Sequence, residues 1–435
     1  PNIIGKLSAM ITSKANASNP IYGIDGSATI KDIYFDDTPH DATDNPRWRT
    51  VLLSALGPGG HGYFAVDITN IKSPKHLFAI ENDPFDNIVR HWNGDEQKRE
   101  YPYSPGNPMA EQEYDYQKLG EAWSAPRIIR IKHNGNDKWV AVVGGGFNGA
   151  TNPNYGSAVF VIDLENEGVI LKRIDIEDTS TSNIINSIPS DLAVITADGT
   201  QKANYSGAMV YAADLEGKVT KINLTDRGTM YQTTTIFNAE STNENGRYIF
   251  TKPDATIKNS NFWLYFGTGD LQKLQTQNSN VANRLYGIKD KHFPDFQSIN
   301  PPGDVSKCKK GGNCPQVNDL GWYINLDKSK KVTAEPTIDK NLVYFPVYEP
   351  KPVVNICDSG DAILYSVNST CGNAIQRKLG KGVLSKVIVR DNILIIGISG
   401  EADKGINAKD NLISIKSTQK SLNKKITIEG WKENF

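Results

Sequence analysis

Two stretches of the chain gather acids closely enough to raise the question of chemistry. FDDTPHDATDNP sets Asp36, Asp37, Asp41 and Asp44 around His40, and oxygen donors this dense suit a hard divalent cation. No glycine or terminal bidentate glutamate follows at EF-hand spacing, and aspartates in such turns commonly cap their own amides. No metal is therefore expected there. Asp214 and Asp270 sit at like places in AADLEG and GTGDLQ, each just past an apolar run. Acids on neighbouring units could pair as general acid and base, as in glycosidases; the favoured reading is that each closes a turn of its own unit. His61, in GGHG, has no nucleophile beside it in sequence and reads as a solvent-facing turn residue. Gly-x-Ser-x-Gly, His-Glu-x-x-His and Walker patterns are all absent from the sequence. The expectation is a non-catalytic chain with no cofactor.

The elements that position these residues begin with WRTVLLSALGPGGHGYFAVDIT, residues 48–69. A phosphate-cradling loop would need a helix after its glycines. The chain instead continues Tyr-Phe-Ala-Val-Asp-Ile, aromatic and β-branched, so the glycines turn a hairpin. Degenerate copies follow at 139–164, 208–224, 262–290, 342–368 and 391–416. Each is preceded by a short apolar segment: GSATIKDIYF, SAPRIIRIKH, PSDLAVITAD, KPDATIKNS, AEPTIDKN and LSKVIVRDN. Small residues open these segments (Ala28, Ala125, Ser190, Ala255, Pro336, Ser385), which suits strands crowding toward an axis. Six copies of a three- or four-stranded unit predict an all-β β-propeller. Six blades are visible and seven are favoured, the last assembled from the chain ends with ITIEGW near residue 428. The whole chain, 1–435, reads as one such domain.

Two long insertions interrupt the pattern, at about 81–123 and 292–332. Loops of that length are usually functional or disordered. The first holds Trp92, Tyr101, Tyr103, Tyr114 and Tyr116, candidates for a recognition surface, with a lid packed over the propeller as the equal alternative. The second shows little strand pattern. The four cysteines fall as two local pairs, Cys308 with Cys314 and Cys357 with Cys371, so two short-loop disulfides in an oxidising compartment are expected. The 435 residues carry a net charge of −1, which argues against nucleic acid or an anionic membrane as the main partner. Lys307, Lys309 and Lys310 form a local basic cluster of the kind that is usually plain surface. No apolar run is long enough to span a bilayer. The start at Pro1 reads as a piece of something larger. Asn16, Asn204, Asn223 and Asn368 lie in Asn-x-Ser/Thr sequons.

The hairpin 48–69 with YGIDGSATIKDIYF before it resembles the β-propeller of the PilY/PilC family of type IV pilus biogenesis and tip-adhesin proteins. The resemblance runs through SAPRIIRI…KWVAVVGGGFNG, VYAADLEGKVTKINL, FGTGDLQ…RLYGI and NICDSGDAILYSVNSTCG, in that order. It implies a seven-bladed C-terminal propeller, export to the pilus tip, outer-membrane surface or beyond, pilin and assembly-protein partners, and a host-cell ligand. It further implies roles in the balance of pilus assembly and retraction, in twitching motility and in adhesion. Many members hold calcium in an Asp-rich loop before the strand matching VYAADLEG. Here ITADGTQKANYSG keeps only Asp198 and Gly199, and one carboxylate cannot hold calcium alone, so none is expected. No Arg-Gly-Asp tripeptide occurs. The rival readings are a quinoprotein-type propeller dehydrogenase, disfavoured because the seven tryptophans occupy unlike places in the blades, and a purely structural scaffold.

Overall fold

The computed structural model describes residues 7, 10, 21–35, 48–103, 113–148, 155–176, 184–197, 204–242, 244–277, 282–327, 329–352 and 359–417. Among these, six sheets follow one another along the chain. The hairpins anticipated from sequence form the middle of each: Trp48–Ala55 with Gly62–Asp67, Asn136–Gly144 with Ala158–Asp163, and Gly207–Ala213 with Lys218–Thr225. Asn261–Gly267 with Arg284–Asp290, Leu342–Glu349 with Asp361–Asn368, and Ile393–Gly397 with Leu412–Lys416 complete the series. The short segments upstream are the first strands, Ala28–Tyr34, Arg127–His133, Ala193–Thr196, Asp254–Lys258, Thr337–Asp339 and Ile388–Arg390. The segment ITIEGW lies outside the described residues.

Apolar residues from consecutive sheets merge into shared cores. Phe78 and Val89 of the first sheet pack with Phe160 and Ile162 of the second, and Val142 and Val159 of the second with Val210 and Ile222 of the third. Tyr211 and Phe237 pack with Phe262 and Tyr286, Tyr265 and Trp322 with Phe345 and Val367, and Tyr344 and Leu364 with Leu394 and Ile413. An inner sheet is thus covered on both faces. That is why Ala158–Asp163 and Lys218–Thr225 are buried at every position instead of alternating.

The first strands meet one another in turn. Thr29 Oγ1 donates to the Pro126 carbonyl at 2.6 Å, and the Ala125 amide donates to Asp191 Oδ1 at 2.6 Å. The Ile338 amide donates to Asp254 Oδ2 at 3.0 Å, and Thr337 Oγ1 to the Val387 carbonyl at 2.8 Å. Glu335 bridges Lys252 at 3.4 Å and Lys386 at 2.5 Å, tying the entries of the last three sheets together. Burial raises the pKa of Asp191 and of Asp254 despite these hydrogen bonds. This is the radial order of a propeller, with small and charged residues where the sheets converge.

Both insertions differ from the expected loops. Ile88–Trp92 and Lys98–Pro102 extend the first sheet to six strands. In the second insertion Gly321–Asn325 is the fourth strand of the fourth sheet, and Cys308–Lys310 adds to it in parallel.

Candidate functional surface

The turns of these hairpins bond to chain entering a sheet: the next sheet at Gly57, Gly146 and Gly360, and their own at Leu215 and Gly269. The Gly57 amide donates to Ala122 O at 3.0 Å, the Gly146 amide to Ile188 O at 3.0 Å, and the Leu215 amide to Ser187 O at 3.0 Å. The Gly269 amide donates to Tyr248 O at 2.9 Å, and Gly360 O accepts from the Gly382 amide at 2.9 Å. At Gly146 the need for glycine is double: φ is +85°, and a Cβ would lie 1.9 Å from Glu121 O. The loops at Gly57, Gly146 and Gly360 are therefore latches between blades, and the opening hairpin cradles protein backbone.

The two candidate acids are each committed to their own turn. Asp214 Oδ1 accepts from the Lys218 amide at 2.9 Å, Oδ2 accepts from Asn186 Nδ2 at 3.1 Å, and Lys218 Nζ stands 3.6 Å away with Glu216 as its nearer partner. Burial pushes the Asp214 carboxyl up to about 6. Asp270 caps the short 3-10 helix Leu271–Lys273 by accepting from the Gln272 amide at 2.9 Å. His61 is half-buried, with its ring 6.3 Å from Tyr155. Among the described residues no three His, Cys, Asp or Glu side chains are grouped to hold a metal. Asp36, Asp37, His40, Asp41, Asp44, Asp198 and Gly199 lie outside the described residues.

The aromatic candidates of the first insertion need correction. Tyr114 and Tyr116 are buried in the core shared by the first two sheets, and Tyr101 and Tyr103 pack against it. Tyr116 donates to Gly168 O at 2.7 Å and stacks on Phe160, Tyr101 stacks on Tyr114 at 5.0 Å, and Tyr103 donates to Asn82 Oδ1. Trp92 is half-buried in its strand. Apolar rings beside an extra pair of strands gain more from filling the inter-sheet space than from facing water. Tyr101, Tyr103, Tyr114 and Tyr116 thus fill the core between the first two sheets instead of standing free as a recognition surface.

The cysteine pairing also differs. Cys314 is bonded to Cys371, 57 residues on, and Cys308 is a buried free thiol whose pKa burial pushes up to about 12. Cys357 lies outside the described residues. Local spacing misled because Cys308 enters a strand and points into the core, whereas Cys314 leaves the sheet toward the turn of the next blade. The Gly312 amide donates to Cys371 O at 3.0 Å at the same junction. Of the sequons, Asn204 is exposed and Asn223 is buried. Asn368 Oδ1 accepts from the Thr370 and Cys371 amides, and Asn16 lies outside the described residues.

Several exposed side chains lie within a few residues of the Cys314–Cys371 disulfide. Val317, in the loop after Cys314, is 85 % exposed, and Ile375, on the strand Ala374–Lys381, is 74 % exposed. Lys307, Lys309, Lys310 and Arg377 are also exposed.

Comparison with known proteins follows the fold. The family model described as the PilY1 beta-propeller domain matches residues 2–320. The type IV pilus biogenesis factor PilY1 homolog of Xylella fastidiosa is 24% identical over 388 residues, covering 81% of this chain and 23% of that protein. The type IV pilus biogenesis factor PilY1 of Pseudomonas aeruginosa PAO1 is 30% identical over 202 residues, 46% of this chain and 13% of that protein. The chain thus spans less than a quarter of the length of either relative. The crystal structure of the P. aeruginosa PilY1 C-terminal domain superposes with a TM-score of 0.57 at 15% identity, covering 91% of this chain and 85% of that one. With six sheets in propeller order and a family match over most of its length, the chain belongs to the PilY1 β-propeller domain family.

Proposed function

We propose that this chain is a non-catalytic protein-interaction domain of a type IV pilus-associated protein. In this reading it is exported and supports the balance of pilus assembly and retraction, twitching motility and host-cell attachment. Its partners are pilins or pilus assembly proteins, with a host-cell ligand on a second face. The observation that carries the reading is family membership, together with the role of the relatives as type IV pilus biogenesis factors. The use of Asp214 and Asp270 on turn amides supports the non-catalytic part. The disulfide between blades suits an oxidising compartment, which supports export.

The test is an in-frame deletion of the segment in the source organism, with surface pili counted by electron microscopy and host-cell attachment scored beside them. Loss of pili places the domain in assembly or in opposing retraction, and intact pili with lost attachment makes it adhesive. Normal pili together with normal attachment would refute the reading.

A further inference from the structure

The outer edges of the first four sheets have chain laid against them. Ile88–Trp92 and Lys98–Pro102 lie beyond the fourth strand of the first sheet, and Cys308–Lys310 beyond that of the fourth. The outer strand of the second sheet is met through the Ile170 amide, which donates to Glu113 O at 2.8 Å, and through the Arg173–Asp115 pair. In the third sheet the Asn238 amide donates to Gly303 O at 2.8 Å, and the Gly303 amide to Ile236 O at 3.1 Å. The fifth sheet differs. Its covering segment, 401–403, reaches only the end of the outer strand Ala374–Lys381, where the Lys381 amide donates to Glu401 O and the Asp403 amide to Leu379 O, both at 2.8 Å. Residues 374–378 are all left exposed, and no other described strand has five successive exposed positions.

The hydrogen-bond pattern shows what this edge offers. The hairpin into the strand closes with the Asn368 amide donating to Asn373 O at 2.7 Å. Alternation from that pair, with Ser366 opposite Ile375 and Leu364 opposite Arg377, turns the amides and carbonyls of Ile375 and Arg377 to the inner strand. Those of Ala374 and Gln376 face outward, and among the described residues none bonds them. Ile375 and Arg377 share the side of the sheet on which Leu364 packs toward the sixth, yet Ile375 is 74 % exposed. Charged side chains guard an edge against stray pairing. Lys378 and Lys381 are engaged with Asp361 at 3.2 and 2.7 Å, whereas Arg377 has no carboxylate within ion-pair distance among the described residues. A bare isoleucine works against such a guard. Beside the unpaired arginine it leaves one apolar and one cationic cross-strand position open.

We propose that residues 374–378 receive an added antiparallel β-strand from a partner polypeptide, which sets an acid opposite Arg377 and, two residues later, an apolar residue opposite Ile375. The added strand continues the line that 401–403 already begins, and it runs in the same direction. A second copy of this chain fits less well. Two such strands paired about Gln376 would set each Arg377 opposite the other's Ile375 and supply no acid. The proposal rests on the reading of the chain as a protein-interaction domain and names where one partner docks.

The experiment measures binding of a fluorescein-labelled peptide, Thr-Thr-Glu-Thr-Val-Thr-Thr, to the purified, oxidised chain by anisotropy. Saturable binding is expected. In the proposed pairing the amides of the threonines flanking the glutamate and the valine face the strand, and those of the glutamate and valine face away. N-methylation of the facing amides should abolish binding, and N-methylation of the other two should leave it. Arg377→Glu should weaken the peptide about tenfold and restore affinity for a version with lysine in place of glutamate, and Ile375→Ser should weaken it about threefold. Both positions are exposed, so these variants keep the fold, which a thermal melt checks. No saturable binding, the same result from both N-methyl patterns, or affinity unchanged by Arg377→Glu would each overturn the proposal. Dimerisation of the chain that Ile375→Ser abolishes, seen by sedimentation, would overturn it as well by giving the edge to a second copy. Lost pili on deletion of the segment, with the peptide result negative, would retain the pilus reading and discard this edge alone.

Discussion

Asp290→Ala should be among the most damaging single substitutions in the chain. Asp290 Oδ2 lies 2.7 Å from Lys221 Nζ and accepts from the Tyr211 hydroxyl at 2.7 Å, and both ions are 1 % exposed. Oδ1 accepts from the His292 amide at 3.0 Å, and Lys221 Nζ also donates to Asp295 O at 2.7 Å. At an effective dielectric near 20 the gross attraction of the pair is about 6 kcal/mol. Withdrawing each ion from water costs several kcal/mol, so the pair as a whole contributes little. Breaking it is another matter, because the remaining ammonium keeps its desolvation cost and loses its counter-charge. Asp290→Ala is therefore expected to lose about 3–5 kcal/mol in urea denaturation followed by tryptophan fluorescence. Burial already lowers the Lys221 pKa, with Asp290 opposing that fall. Without Asp290 the native state favours neutral lysine more strongly. The variant should then regain stability as pH rises toward the ordinary lysine range and lose it as pH falls. The triple variant Lys221→Met, Asp290→Leu, Tyr211→Phe should return close to wild type, since no buried charge remains. A loss below about 1 kcal/mol for Asp290→Ala, or a triple variant as damaged as the single, would refute this account of the interface.

Other expectations concern the blade junctions. Replacing Cys314 and Cys371 together by serine frees a loop of 57 residues, for which chain entropy predicts a loss of about 4 kcal/mol, read as a lower denaturation midpoint matched by reducing the wild type. Gly146→Ala should cost well over about 2 kcal/mol because it adds a backbone collision to a left-handed φ. Gly135→Ala has the same φ of +85° with nothing within 4 Å, and should cost only about 1–2 kcal/mol. If the two alanines cost the same, strain alone governs both sites and the latch account of the hairpins is wrong. The Asp214 carboxyl is raised from 3.8 to about 6, so its stabilising share is fully present below pH 4 and lost as pH rises through 6. Asp214→Asn should then gain stability relative to wild type by on the order of 2–3 kcal/mol between pH 4 and pH 7. An Asn variant that tracks the wild type at every pH would show that Asp214 titrates normally.

What could be read from the sequence was whatever is local. The hairpin 48–69 announces itself because glycines separate two runs of β-branched and aromatic residues, and the same grammar recurs five times. The acids Asp214 and Asp270 were legible for the same reason, since an aspartate and the amides it closes lie within a few residues of each other. The tyrosines of the first insertion were not legible, because composition alone does not distinguish a ring facing a partner from a ring facing the next blade. Tyr114 and Tyr116 meet Phe160, a residue of the next sheet more than forty positions on. The strand Gly321–Asn325 did carry a signal, Trp-Tyr-Ile, that the surrounding glycines and prolines masked. The cysteines show the limit most clearly. Proximity in sequence favoured Cys308 with Cys314, yet a strand sends the first into a core, and the chain then turns outward and brings the second to Cys371. A propeller repeats its local pattern faithfully, so its blades are readable one at a time. What holds the blades to one another is not, because the residues that meet between blades are tens of positions apart. The disulfide between Cys314 and Cys371 is such a place, joining two blades through residues 57 positions apart.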